Sequence, residues 1–188
     1  MKSERIIVCS GPSGSGKSSL VNFVLKKEKK IGFAISATSR LPRKNEKNGI
    51  DYYFLSLNEF KKKIINNEFI EYEEVYSGIY YGTLKSEVKR LNNLNLSILI
   101  DMDVKGGLNI KKKLPDKTLT IFIKPPSINE LGKRLRRRMT NSDDDISIRI
   151  DKAHKEMLYS KYYDIIIEND NLEKAQKTIL DKIISFTK

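Results

Sequence analysis

The sequence has one cysteine, one histidine and no long apolar run, and each scarcity excludes a class of protein. Cys9 has no partner for an internal disulfide, and its apolar neighbours predict a buried thiol instead of a reactive one. With one histidine, His154, the sequence shows no Cys/His cluster for a metal and no Ser/His/Asp arrangement. We expect His154 to be structural or exposed. With no run of about 18 apolar residues, no membrane span is predicted. The N-terminus shows no signal-peptide pattern, so we expect a cytoplasmic location.

Acidic residues are outnumbered: 36 Lys and Arg stand against 24 Asp and Glu, a net charge of +12. One interpretation is nucleic-acid binding, in which clustered cations neutralise phosphates. The other is a solvated basic surface around a site for anionic small molecules. Because the lysine clusters are spread along the sequence, we favour the second interpretation and expect no nucleic-acid partner.

The stretch GPSGSGKSS at residues 11–19 fits the phosphate-binding pattern G-x-x-x-x-G-K-[ST]. An apolar β-branched run at 5–10 precedes it and predicts a buried strand, and 19–25 predicts a helix. A strand, a glycine-rich turn and a helix aim backbone N–H groups at one anion. Lys17 would reach the β- and γ-phosphates, and the Ser18 hydroxyl would bind Mg²⁺. The predicted loop for the phosphates of a nucleoside triphosphate comprises Gly11, Pro12, Ser13, Gly14, Ser15, Gly16, Lys17, Ser18 and Ser19.

Three further features suggest sites for charged ligands. Arg40 and Arg43 carry planar guanidinium groups that match phosphate oxygens, although a solvated loop is the alternative. The buried run at 96–101 ends in a carboxylate, and strand ends of a parallel sheet line the ligand crevice. Asp101 and Asp103 are therefore expected to contact Mg²⁺ or substrate. Two predicted helices around the polar stretch 140–145 carry arginines and have the form of a lid.

Strands and helices alternate except in 33–83, which is rich in strands and tyrosines. The stretch 32–36, for example, predicts a strand. This order predicts an α/β, three-layer P-loop fold with a central parallel sheet, an inserted small mixed β subdomain and a helical lid. At 188 residues the chain suits a single domain.

These motifs, in this order, resemble the guanylate kinase family, whose members phosphorylate GMP with ATP. The resemblance covers essentially the whole chain. It rests on the phosphate loop, 36–43, Asp51-Tyr52, Phe69-Ile70-Glu71, Tyr80-Tyr81-Gly82-Thr83, Asp101-x-Asp103, Pro125-Pro126-Ser127, the arginine-bearing lid and Asn169-Asp170. It implies a core at about 1–32, 84–135 and 150–188, a GMP-binding subdomain at about 33–83 and a lid at about 136–149.

The resemblance also implies roles for individual residues. GMP would be bound by Ser36, Arg40, Arg43, Tyr52, Glu71, Tyr81, Thr83, Asp101 and Asp103. The catalytic cations would be Lys17, Arg40, Arg134, Arg138 and Arg149. Asn169 would contact the adenine end of ATP, and Ser18 and Asp101 would hold Mg²⁺ directly or through water. Which aspartate reads guanine stays open, and so does the choice between Tyr80 and Tyr81, since 71–76 is one residue longer than expected.

The chemistry of guanine supports the role of Glu71. Guanine presents N1–H and the N2 amine as adjacent donors, and one carboxylate accepts both; adenine lacks that pair. We therefore expect an ATP:GMP phosphotransferase of purine metabolism that also accepts dGMP and is a monomer or small homo-oligomer. Another nucleoside monophosphate kinase is one alternative. A non-catalytic interaction module of the same family is another, which the intact Lys17 and Ser18 disfavour.

Overall fold

A parallel sheet and a smaller mixed sheet organise the computed structural model, which describes residues 5–137 and 143–188. The described strands are β1 (Ile6–Ser10), β2 (Ile31–Phe33), β3 (Ala37–Thr38), β4 (Tyr53–Phe54), β5 (Phe69–Tyr76), β6 (Ile79–Leu84), β7 (Ser97–Asp101), β8 (Thr118–Lys124) and β9 (Ile165–Glu168). The described α-helices are α1 (Lys17–Lys27), α2 (Leu57–Ile65), α3 (Lys85–Asn93), α4 (Val104–Lys113), α5 (Ile128–Arg137), α6 (Asp143–Met157) and α7 (Leu172–Thr187).

The larger sheet has the order β2-β7-β1-β8-β9, and every neighbouring pair is parallel. Helices α1 and α7 pack on one face through residues such as Leu20 and Ile179, and α3 and α4 contribute Leu91 and Ile110 to the core on the other face. Since both faces are covered, the central strands β1 and β7 are nearly continuous apolar runs, as the sequence predicted. The fold is the predicted α/β three-layer arrangement.

Topology places the two main polar segments together. β1 pairs with β7, and Cys9 lies in register with Asp101. The phosphate loop follows β1, so it begins beside the carboxylate that ends β7. This edge of the sheet is where ligands of open α/β folds bind.

The smaller sheet has the order β4-β3-β6-β5 and combines one parallel with two antiparallel pairings. Phe60 of α2 stacks on Phe69 with ring centroids 4.5 Å apart and forms its core. The strand predicted over 32–36 was wrong in extent, because β2 ends at Phe33 and β3 begins at Ala37. Between them the Ile35 N–H donates to the Glu87 carboxylate at 3.0 Å, and the chain passes from one sheet to the other.

The two arginine-bearing helices form a unit of their own. Ser127 caps α5, since its hydroxyl accepts from the Glu130 N–H at 3.1 Å. Leu135 of α5 and Ile146 of α6 belong to one buried cluster. No helix within 5–137 or 143–188 has the length and apolar character that crossing a membrane requires.

Candidate active site

The phosphate loop is braced by its own lysine and by the end of β9. Lys17 Nζ donates to the Gly11 carbonyl at 2.7 Å and to the Pro12 carbonyl at 3.3 Å. Asn169 Nδ2 donates to the Ser15 carbonyl at 2.8 Å. Gly16, which precedes α1, has a φ of 95°, and a Cβ there would collide with Asn169 Nδ2. The loop therefore holds its shape while the first turn of α1 faces the cleft.

One cleft of about 540 Å³ brings most of the predicted site residues together. It lies between the phosphate loop, the smaller sheet, the end of β7 and α6. Of the predicted residues, those that line it are Gly11, Ser13, Gly14, Gly16, Lys17, Ser18, Ser36, Arg40, Arg43, Tyr52, Glu71, Tyr81, Asp101, Asp103 and Arg149. Thr83 is buried in the strand beside it and lies in register with Glu71.

A second hollow of about 300 Å³ lies on the other side of the loop. Its lining includes Ser19, Arg134, Asn169 and Leu172. Arg134 Nη2 donates to the Asn169 carbonyl at 3.2 Å, and its Nε donates to the Glu130 carboxylate at 3.3 Å. Arg134 is therefore in the second hollow and is not brought together with Arg40 and Arg149.

Arg40 lines the cleft and is fixed by contacts with three side chains. Its Nε donates to the Tyr81 hydroxyl at 3.1 Å, and its terminal nitrogens donate to the Glu46 carboxylate at 2.6 and 2.7 Å. The guanidinium carbon lies 5.0 Å from the centroid of the Tyr52 ring. Burial raises the pKa of Tyr52 to about 12, so its hydroxyl stays protonated. The predicted phosphate-binding residues thus form one cluster.

Glu71 is the deepest carboxyl group of the cleft, at 5% exposure. Burial, followed by the charges of Asp103 and Glu73, raises its pKa to about 8, and Lys113 opposes the shift. Gly106 of α4 makes room for it, since a Cβ there would lie 2.5 Å from Glu71 Oε2. Among residues 5–137 and 143–188, no cation forms an ion pair with Glu71, and such a buried carboxyl group suits a ligand that brings its own donors.

Asp101 and Asp103, whose roles the sequence did not distinguish, lie in different surroundings. Burial raises the pKa of Asp101 above its ordinary value, and the nearby Lys17 opposes this shift. Asp103 caps α4, with Oδ1 accepting from the Gly106 N–H at 2.9 Å, and its charge acts on Glu71. Asp101 therefore belongs to the phosphate end of the cleft and Asp103 to the Glu71 end.

Tyr80 and Tyr81 are neighbours on β6, so their side chains lie on opposite faces of the strand. The register between β5 and β6 shifts between Phe69 and Glu71 and again between Glu74 and Tyr76, outside the paired stretch that contains both tyrosines. Tyr81 lines the cleft and binds Arg40, whereas the Tyr80 hydroxyl donates to Glu74 at 2.9 Å. Of these two tyrosines, Tyr81 is the one that lines the cleft.

Helix α6 reaches into the cleft beside the phosphate loop. Arg149 Nη1 donates to the Ser13 hydroxyl at 3.0 Å. Lys152 and Glu156 also line the cleft, and the sequence analysis missed them. Their spacing from Arg149, at i+3 and i+7, places them on the same helical face and was the available signal. Arg138 lies outside the described residues.

Glu46 was missed as well, although it contacts Arg40 directly. It lies in the polar segment 44–49, for which the sequence predicted no site residue. The available signal was weak: an acidic residue three positions after Arg43 and six after Arg40.

The fold and the cleft define a P-loop phosphotransferase, in which the phosphate loop and the Arg40 cluster line the same cleft. A family model described as guanylate kinase matches residues 3–185. The guanylate kinase of Porphyromonas gingivalis is 48% identical over 183 residues, which cover 97% of each chain. That of Bacteroides fragilis is 46% identical over 182 residues, covering 97% of this chain and 89% of the other.

A solved structure gives the same result. The crystal structure of guanylate kinase from Anaplasma phagocytophilum superposes with a TM-score of 0.79 at 30% sequence identity, covering 97% of this chain and 85% of the other. The chain belongs to the guanylate kinase family.

Proposed function

We propose that this protein transfers the γ-phosphoryl group of ATP to GMP, giving ADP and GDP. One observation carries the proposal: the buried carboxyl group of Glu71 and the phosphate-loop Lys17 line the same cleft. The first suits a guanine base, and the second suits a nucleoside triphosphate. dGMP is a second acceptor, because the contacts proposed below go to the base and the phosphate.

Glu71 selects guanine. Its carboxylate accepts from N1–H and N2–H together, while Ser36, Thr83 and Asp103 surround the rest of the base edge. Adenine would leave the carboxylate without donors, and a buried polar group without its partner costs about 1–3 kcal/mol, more for a charged one. Sites built on such hydrogen bonds reject analogues by up to roughly 10⁴-fold.

The acceptor phosphate binds at the other end of the GMP site. Arg40, Arg43, Tyr52 and Tyr81 line one stretch of the cleft and supply donors to its oxygens. Two guanidinium groups offset the charge of the dianion. Because this cluster and the phosphate loop line the same cleft, we expect the acceptor oxygen to be directed toward the γ-phosphorus of ATP.

ATP binds with its phosphates on the loop and its adenine toward the second hollow. Lys17 leaves the Gly11 carbonyl to contact the β- and γ-phosphates, and the N–H groups of 11–19 surround them. Arg134 and Asn169 line the hollow and contact the nucleoside end. Arg134 therefore acts in nucleotide binding, and the transferred group is contacted by Arg149 together with Arg138.

The reaction needs no general base, because a GMP phosphate oxygen is already a usable nucleophile. That oxygen forms a bond to the γ-phosphorus as the bond to the β,γ-bridging oxygen breaks, and ADP leaves. The transition state is loose, so the protein contributes chiefly position and positive charge. Lys17, Arg40 and Arg149 supply that charge from three sides of the cleft.

Mg²⁺ fits the oxygen donors at the phosphate end of the cleft. The Ser18 hydroxyl, exposed at the start of α1, and the Asp101 carboxylate would hold it directly or through water. Mg²⁺ prefers oxygen ligands and is commonly bound by one or two side chains together with substrate phosphates. When bound, it neutralises charge on the phosphate oxygens.

The chain divides into three parts in this proposal. The core comprises about 1–32, 84–135 and 150–188, the GMP-binding subdomain about 33–83 and the lid about 136–149. The protein works in the cytoplasm as a monomer or small homo-oligomer, and its partners are its nucleotides and not nucleic acid. The net charge of +12 suits a site for two anionic nucleotides.

A coupled assay of ADP release tests the function. ATP and Mg²⁺ are supplied with GMP, AMP, CMP or UMP in turn. Turnover with GMP at least about 10²-fold above the other three is the expected result. Equal turnover with AMP would reject guanine selection, and no turnover with any acceptor would reject the kinase assignment.

A further inference from the structure

Glu46 is paired with Arg40, a cation proposed for the GMP phosphate. Arg40 Nη1 lies 2.6 Å from Glu46 Oε2, and Nη2 lies 2.7 Å from Oε1, so the pair is bidentate. The two side chains are 13% and 17% exposed. Nη1 also donates to the Leu41 carbonyl at 2.9 Å, and Nε donates to the Tyr81 hydroxyl at 3.1 Å. Within the described residues, four of the five guanidinium N–H groups are used, and one on Nη2 remains.

Glu46 also fixes the backbone of the second arginine. Its Oε2 accepts from the Arg43 N–H at 2.8 Å, and its own N–H donates to the Arg43 carbonyl at 3.0 Å. One carboxylate therefore holds the side chain of Arg40 and the main chain of Arg43 together. The hydrogen bonds from the Arg40 guanidinium are the main reason that the pKa of Glu46 is lowered to about 2. The carboxylate is therefore ionised at neutral pH.

The orientation of Arg40 also determines which N–H and O–H groups are available to the GMP phosphate. Its guanidinium carbon lies 5.0 Å from the Tyr52 ring centroid and 5.5 Å from that of Phe54, which fixes the plane of the group. Because the Tyr81 oxygen accepts from Arg40 Nε, its own proton points elsewhere and is available to a phosphate oxygen. The remaining N–H on Nη2, the Tyr81 hydroxyl and the Arg43 side chain are thus donors that the cleft offers to a phosphate.

We infer that Glu46 is a positioning residue for the acceptor nucleotide: it holds Arg40 and the Arg43 backbone in the arrangement that receives the GMP phosphate. The inference rests on the proposed function. A long arginine side chain loses rotational freedom when it binds an anion, and a site that is already ordered avoids that loss on binding. The opposite possibility is that the carboxylate competes with the phosphate for Arg40. Its second attachment, to the Arg43 N–H, argues against its leaving.

Glu46→Gln tests the inference in the full-length protein, because it keeps the shape and removes the charge. The KM for GMP is expected to rise at least about tenfold, the KM for ATP to stay within about twofold, and kcat to change less than the KM for GMP. Glu46→Asp, which keeps the charge but is one methylene shorter, should recover part of the loss. Thermal unfolding, measured alongside, should stay within a few degrees of the parent.

Glu74→Gln is the matched control. Glu74 also accepts from a backbone N–H and a side chain, Gly78 at 2.7 Å and Tyr80 at 2.9 Å, but it does not line the cleft. Its substitution should leave both KM values unchanged.

The other outcomes overturn the inference. A lower KM for GMP in Glu46→Gln would mean that the carboxylate competes with the phosphate. An unchanged KM, or parallel losses in both KM values and in unfolding temperature, would leave no specific role in GMP binding. The parent protein separates this result from the proposed function: if the parent does not turn over GMP, the function fails, whereas if only the Glu46 variants behave unexpectedly, the inference alone fails.

Discussion

The Asn169 side chain donates a 2.8 Å hydrogen bond to the carbonyl of Ser15, a residue 154 positions away in the sequence. The contact joins the end of β9 to the phosphate loop. Both groups are buried, and a Cβ on Gly16 would occupy the position of the Asn169 amide nitrogen. The conformation of the loop thus depends on a residue at the far end of the chain.

Asn169→Ala should therefore weaken both stability and ATP binding. Removal of the amide leaves the Ser15 carbonyl without its partner, and we expect a loss of about 1–3 kcal/mol in the free energy of unfolding. The KM for ATP should rise more than the KM for GMP. Urea denaturation and steady-state kinetics measure the two effects. Asn109→Ala, at an exposed position on α4, is the control, and a variant at 169 that behaved like it would contradict the proposed bracing.

Lys17→Met should abolish most turnover and leave the fold intact. Within residues 5–137 and 143–188, Lys17 Nζ donates hydrogen bonds to two loop carbonyls, and methionine retains much of the apolar stem. The cation is needed where charge develops on the transferred group, so kcat should fall by about 10²–10³-fold. Circular dichroism should show unchanged helix content. Lys26→Met, at an exposed position on the same helix, should keep parental kinetics, and near-parental turnover in Lys17→Met would refute the catalytic role.

Glu71→Ala should separate the two substrates. The carboxyl group lies deep in the GMP side of the cleft, so its loss should raise the KM for GMP by about 10²-fold or more, with the KM for ATP within a few-fold. Glu74→Ala on the same strand is the control. If GMP kinetics in Glu71→Ala matched those of the parent, Glu71 would not be the guanine-reading residue.

Acidity should affect stability through Glu71. Burial beside Asp103 and Glu73 raises its folded-state pKa to about 8, against about 4.3 in an unfolded chain. Between these values the folded protein holds a proton that the unfolded chain has lost. The contribution of this proton to the free energy of unfolding is complete below about pH 4. It decreases as the pH rises and is lost above about pH 8. The unfolding temperature of the parent, compared with Glu71→Gln, should thus fall from pH 5 to pH 8.5, and a constant difference would contradict the shifted pKa.

Much of this site was predictable because its signals are local. The phosphate loop requires fixed residues at fixed spacing between a strand and a helix, and the structure has both. The strand ending at Asp101 was recognised by its continuous apolar run, since a parallel strand covered on both faces carries no alternation. The buried state of Cys9 followed from the same reasoning and is confirmed.

The remainder depended on tertiary contacts. The Glu46–Arg40 pair forms only when the loop after β3 closes on itself, and no periodicity marks such closure. The alternation of side chains along β6 decides which tyrosine faces the cleft: Ile79 and Tyr81 line it and Tyr80 does not. Asp101 is the last residue of β7, whereas Asp103 lies beyond the strand and caps α4, so the two carboxylates have different surroundings. The strand predicted over 32–36 is interrupted where Glu87 binds the Ile35 N–H.

The ratio of kcat/KM for GMP to that for inosine monophosphate is the sharpest test of whether Glu71 selects guanine. The two acceptors share the N1–H and the phosphate and differ by the N2 amine, one of the two donors assigned to Glu71. The parent protein is expected to prefer GMP by at least about 10²-fold, and Glu71→Gln is expected to lose most of that preference. Equal kcat/KM values for the two acceptors in the parent would contradict the selection of guanine by Glu71.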